Sequence, residues 1–332
     1  MYKNQFDKNQ ACKAFTISVA VIVAINLVFA ALNMLIKFTD QDGNYKGIWF
    51  WVISTVLQLG LFATALVFSK VTQTEFLTAT TLNNKPKLLP FALAVVTAIG
   101  LFFLVCPLQI WFLKLLSNIG YTPKSSVPLT GGALNAVLLY VFVAALPAFC
   151  EETLFRGVIA NGFKQLGLVS ACLVTGALFS LYHFSPAQTL HQFVMGCALT
   201  LFALKTQSVW TAIAVHFLNN ALSLTFSLAY GASGADAFVL KYWYAFLFGG
   251  LVVAGVGLWL FLTVTKDVNL NETTTTTTEQ PQQMTKLSKQ NIAKERENQA
   301  KPKTFSDNFL LYCGIAVCIV FWVSNFISNV KG

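Results

Sequence analysis

Glu151, Glu152 and Arg156 interrupt an apolar run that extends from about Leu134 to Val158. A charged side chain at the centre of a bilayer costs at least ~2.5 kcal/mol, so ionisable groups inside such a run imply function. Two further apolar segments carry His183 and His216, the latter followed by Asn220. Residues four apart share a helix face, which pairs Glu152 with Arg156 and His216 with Asn220. Glu151 points about 100° away from Glu152 and has no such partner. A free carboxylate and an imidazole can activate water, and a carboxamide donor can stabilise an oxyanion in low dielectric. Glu151, His183 and His216 are also a ligand set for one catalytic zinc with an open position. The His216–Asn220 spacing suits joint contact with one oxygen and tilts the reading towards a metal-free site, with zinc kept open.

These residues need a membrane scaffold. Of 332 residues, 56% are apolar and only 11% are charged, against about 25% charged in soluble domains. The chain is therefore expected to be all-α, a polytopic membrane bundle of about eight to nine transmembrane helices. Apolar segments of spanning length lie at about 14–36, 48–69, 88–113, 132–158, 168–184, 187–204, 208–229, 239–265 and 308–329,. Gly167 is the natural apex between the fourth and fifth segments, and Glu151 and His183 lie sixteen residues on either side of it. At 1.5 Å per residue both sit about 24 Å from the apex, at one level. Pro186 should break the helix after His183, and broken backbone at membrane depth is tolerated only in packed protein or beside a wet cavity.

The organisation that follows is 1–130 as N-terminal spans, 131–230 as the chemical core, 231–265 as a further span, 266–307 as a linker and 308–332 as a last span. The linker holds six consecutive threonines, Thr273 to Thr278, and almost nothing apolar. Such a composition predicts a disordered segment, and the helix beyond it is expected to be dispensable for chemistry. With the N-terminus in the cytoplasm, alternation puts sixteen Lys and Arg on inner segments and six on outer ones, a positive-inside bias. The chain then reads as a multi-pass integral protein, in the cell membrane if bacterial. Because the basic residues separate hydrophobic segments without forming a patch, they speak against nucleic acid as a partner; the lipid bilayer is the expected one. The seven cysteines are odd in number and lack C-x-x-C spacing, as expected of core residues.

Each feature also has an ordinary reading. A Glu–Arg pair can be structural, and His216 with Asn220 can join helices; His191 stands without an evident partner and reads as a packing residue. Together they say more. Glu-Glu-x-x-x-Arg (Glu151, Glu152, Arg156), Phe-x-x-x-His (Phe179, His183) and His-x-x-x-Asn (His216, Asn220) resemble the three motifs of the CPBP family. These are the CAAX proteases and bacteriocin-processing enzymes, also called Abi proteins, and the resemblance covers about residues 130–230. It implies an intramembrane endopeptidase in which Glu151 with His183 activates water, His216 and Asn220 hold the oxyanion, and Glu152 with Arg156 supports the helix. The implied substrate is a peptide or protein, whether membrane-associated or prenylated.

Other classes are a proton-coupled transporter with Glu151, His183 and His216 as its relay, and a non-catalytic immunity or binding protein. Rival intramembrane proteases fit poorly: there is no His-Glu-x-x-His, and no His follows Gly231-Ala232-Ser233-Gly234, which is expected in a polar loop. A topology reporter fused near Gln283 is expected to read as cytoplasmic, and an external reading would overturn both the orientation and the number of spans.

Overall fold

The computed structural model describes residues 2–40, 44–123, 127–129, 132–270 and 308–330. Every regular element among them is helical, apart from single bridges such as Lys3 to Thr74 and Tyr121 to Val330. In chain order they are α1 (Lys8–Ile36), α2 (Trp49–Val71), the short α3 (Phe76–Ala79), α4 (Leu88–Asn118), α5 (Gly132–Leu166), α6 (Leu168–Tyr182), α7 (Thr189–Thr206), α8 (Val209–Tyr230), α9 (Ala232–Lys241), α10 (Ala245–Val264) and α11 (Phe309–Asn329). Eight are long and apolar enough to cross a membrane, and α6 is a shorter apolar helix. Large apolar side chains such as Leu27, Met34, Leu251, Val252 and Trp259 remain exposed on the outside of the bundle, as they must be where lipid is the solvent,. The chain is a multi-pass membrane protein.

Helix ends fall where local chemistry puts them. Asp7 caps α1 by accepting from the Gln10 backbone N–H at 2.8 Å, and the Gln10 side chain accepts from the Asp7 N–H at 2.8 Å, a reciprocal box that satisfies two end donors. Gly167 separates α5 from α6 at φ +87° with open space around it, a backbone conformation that disfavours other residues. The expected apex is therefore correct. Gly231-Ala232-Ser233-Gly234 does not lie in a polar loop: from Ala232 onward it forms the start of α9.

Hydrogen bonds define two ends of the bundle. At the amino-terminal end the Asn84 side chain donates to the Gln207 carbonyl at 3.0 Å, Ser208 donates to the Asn84 carbonyl at 2.5 Å, and Lys205 donates to the Thr265 carbonyl at 2.8 Å. At the opposite end the Tyr121 hydroxyl meets Asn325 Oδ1 at 3.0 Å, and the Thr122 N–H meets the Asn329 carbonyl at 2.9 Å.

The segments at 168–184 and 187–204 are two arms of a hairpin rather than two full crossings. α6 has only fifteen residues, about 22 Å of rise, against a hydrocarbon core of about 30 Å. Phe184 at φ +50° and then Pro186 turn the chain. The turn is held inside the bundle by side chains from neighbours. Gln109 of α4 donates to the Ala187 carbonyl at 2.7 Å, and Trp322 of α11 donates to the Thr189 hydroxyl at 2.9 Å. Both donors lie more than a helical turn inside the ends of their helices, so the hairpin turns before it reaches the far end. The last helix, expected to be dispensable for chemistry, thus buttresses the hairpin. Of the expected 266–307 linker only residues 266–270 are described; the remainder, with its expected disorder, lies outside the described residues.

The hairpin arms touch through glycine. A Cβ on Gly176 would stand 2.6 Å from Cys197 Sγ, and one on Gly196 would stand 2.8 Å from the Gly176 Cα, the small-residue approach typical of membrane helix pairs. Gly176→Leu is expected to lower the unfolding temperature in detergent markedly, by overpacking worth about 1–3 kcal/mol or more; an unchanged melting curve would contradict this packing.

Candidate active site

The site begins with a change of helical pitch. Within α5 the α-helical stretch Leu146–Glu152 lies between two π-helical stretches, Tyr140–Ala145 and Thr153–Ala160. A π turn inserts a residue relative to the α repeat and recurs at functional sites. The seven-residue segment between them ends on the two glutamates.

Glu152, fully buried, is the hub. Its Oε1 accepts from Arg156 Nη1 at 2.7 Å and stands 2.7 Å from His216 Nδ1. The expected i,i+4 pair is present, but Glu152 does not belong to Arg156 alone. It also fixes His216 across the interface with α8. Arg156 is itself fully buried, donates through Nη2 to the Gly196 carbonyl at 3.1 Å, and lies 4.4 Å from the centroid of the Phe179 ring. The guanidinium therefore links α5, α6 and α7 by charge, hydrogen bond and ring face.

Glu151 is only 7% exposed. Its Oε1 accepts from Gln58 Nε2 of α2 at 2.9 Å, and its Oε2 has no partner among the described residues. Gln58 went unnoticed in the sequence, although an amide in the middle of the 48–69 span was a usable signal. His183 caps the end of α6, and its Nδ1 stands 2.8 Å from the Phe179 carbonyl. A carbonyl can only accept, so Nδ1 carries the hydrogen and Nε2 offers a lone pair. An ionised Glu152 imposes the same tautomer on His216. Neutral His216 is consequently an acceptor at Nε2, and the oxyanion role expected of it requires its protonated form,.

Asn219 Nδ2 donates to Asn220 Oδ1 at 3.2 Å, and Asn220 Nδ2 stands 3.4 Å from the Val143 carbonyl. Asn220 therefore spends one amide hydrogen on the Val143 carbonyl and keeps the other free.

Glu151, His183, His216 and Asn220, expected on three segments, line one cavity of about 370 Å³ together with Pro147, Gln188 and Ser227. Glu152 and Arg156 lie beneath them in full burial. The Nδ1-anchored imidazoles present the tautomer that metal sites use. Yet no group of three or more His, Cys, Asp or Glu side chains is placed to hold a metal ion among the described residues. Glu151, His183 and His216 thus do not converge as a zinc site in this geometry.

Residues 133–222 match the family model of the type II CAAX prenyl endopeptidases, Rce1-like. The match supports, over this segment, the resemblance to the CPBP and CAAX protease family read from the three motifs. The matched segment includes all three motifs and extends from the first turns of α5 to the middle of α8. The matched family is one of membrane endopeptidases, which are hydrolases. No curated protein and no solved structure matches the chain.

The shared carboxylate yields a test of the buried pair. Glu152→Gln leaves the Arg156 guanidinium without its counter-charge, at a cost of about 3–5 kcal/mol, so a large loss of folded protein is expected. The double exchange Glu152→Arg with Arg156→Glu should recover little, because it sets a guanidinium against His216. Full recovery of yield and melting temperature would show that the His216 contact carries no weight.

Proposed function

We propose that the cavity hydrolyses a peptide bond with Glu151 as the general base. The reading is supported by one observation above the rest: four polar side chains from three helices line a single cavity within an otherwise apolar bundle. One water donates its two O–H groups to the unpartnered Glu151 Oε2 and to His183 Nε2, which aims a lone pair at the scissile carbonyl carbon. As the C–O bond forms, Glu151 takes the proton. The carbonyl electron pair moves to oxygen, and Asn220 Nδ2 donates to that oxyanion. His216 is a second donor in its protonated form, for which Glu152 is the counter-charge. When the tetrahedral intermediate breaks down, the C–N pair goes to nitrogen, which takes the proton held by Glu151. The products are a carboxylic acid and an amine, and Glu151 is again a carboxylate.

Gln58 and Glu152 are positioning residues in this scheme. Gln58 fixes one carboxylate oxygen of Glu151 and leaves the other for water. Domain roles follow the same division, with 131–230 carrying the reaction and the flanking helices holding it. The name of the matched family refers to prenylated C-terminal substrates; for this chain a prenylated or other membrane-associated peptide is a proposal on that basis.

Glu151→Gln is expected to preserve expression and melting temperature while abolishing turnover, read as uncut peptides accumulating in membranes. Altered ion flux with unchanged peptides would instead support a transporter, and an unchanged phenotype would support a binding protein. Zinc is tested separately. Purified active protein is expected to hold well under one zinc per chain, with His183→Ala and His216→Ala leaving that content unchanged. Near-stoichiometric zinc, lost in both variants and restoring activity to stripped protein, would replace the metal-free scheme.

A further inference from the structure

The cavity reaches one end of the bundle. Its rim carries Val127 and Leu129, from the connection between α4 and α5, and Ser227, less than one turn from the end of α8. Those residues belong to the end marked by the Tyr121–Asn325 contact. In the other direction the site is sealed. Every residue from Glu152 to Ala160 is buried, most of them completely, and Phe155, Phe179 and Phe202 are fully buried as well. A peptide can enter from the far end and meets a solid floor before the amino-terminal end.

The two ends also differ in charge. The amino-terminal end holds Lys3, Lys70, Lys85, Lys87, Lys164, Lys205 and Lys266, and the sequence between α10 and α11, whose described flanks both lie at this end, includes six more Lys and Arg. The end at which the cavity opens holds Lys37, Lys46, Lys114 and Lys241, with Lys124 and Lys331 next to it in sequence. Basic residues in short connections are retained on the cytoplasmic side of a membrane. We infer that the cavity opens away from the cytoplasm and that its substrates are exported peptides, or the extracytoplasmic parts of membrane-anchored polypeptides, rather than cytoplasmic C-terminal tails. The sidedness stands on charge and geometry alone, whereas the substrate class rests on the proteolytic reading above.

The test separates the two. Ser227→Cys and Lys87→Cys are introduced one at a time, and each is exposed to a membrane-impermeant maleimide in right-side-out and inside-out membrane vesicles. Label taken by the unsubstituted chain is subtracted. Ser227→Cys is expected to react several-fold faster in right-side-out vesicles, and Lys87→Cys several-fold faster in inside-out vesicles. The reverse pattern overturns the orientation. Equal reaction of Ser227→Cys from both sides, or from neither, overturns the one-sided opening. Because no turnover is involved, the same result is expected on a Glu151→Gln background. Substrate class is then read from the peptides that accumulate uncut with Glu151→Gln. Junctions on the extracytoplasmic side support the inference, whereas uncut cytoplasmic tails overturn the substrate class and leave proteolysis standing. No accumulating peptide overturns the proteolytic reading, and the substrate class with it, while the vesicle result still decides the sidedness.

Discussion

One carboxylate oxygen holds the centre together. Glu152 Oε1 receives the Arg156 guanidinium from its own helix and faces the His216 imidazole of α8. Both neighbours are anchored elsewhere: Arg156 on the Gly196 carbonyl and the Phe179 ring, His216 on the helix that also carries Asn220. Away from water an unpaired charge would be costly, so the cluster is stable only when all parts are present. This makes the site cooperative. α5, α6, α7 and α8 must be assembled before Glu152 is neutralised, and once they are, Glu151, His183 and Asn220 have little freedom left.

Much of this was legible in the sequence because lipid reduces the possibilities. Backbone groups must be satisfied within helices, so long apolar runs translate directly into elements, and the few polar residues inside them stand out. Glu151, His183, His216 and Asn220 were found in that way, and Gly167 fixed their common level. What stayed hidden was lateral. Periodicity along one helix pairs Glu152 with Arg156 but is silent about which neighbour shares the same oxygen. Gln58 was missed for the same reason: it is an isolated amide whose meaning comes from a residue distant in sequence.

The half-length of α6 was also hidden, since hydropathy sees apolar residues and not depth. A run interrupted by Pro186 and followed by another apolar run reads as two crossings. Only the Ala187 carbonyl and the Thr189 hydroxyl, met by Gln109 and Trp322, show that the chain stops inside the bundle. The π stretches in α5 were out of reach too. They contain no proline or glycine pair to mark both of them, and they follow from how the helix packs.

The docking of α11 has a consequence in time. Within this chain it is the last helix to leave the ribosome, after a polar stretch of more than thirty residues, yet Trp322 bonds the turn that carries His183, and Phe321 packs against Phe184 at 5.4 Å between ring centroids. Until that helix inserts, the hairpin lacks one of its two clamps. The order of synthesis therefore delays full support of the hairpin until the described helices before α11 have been made.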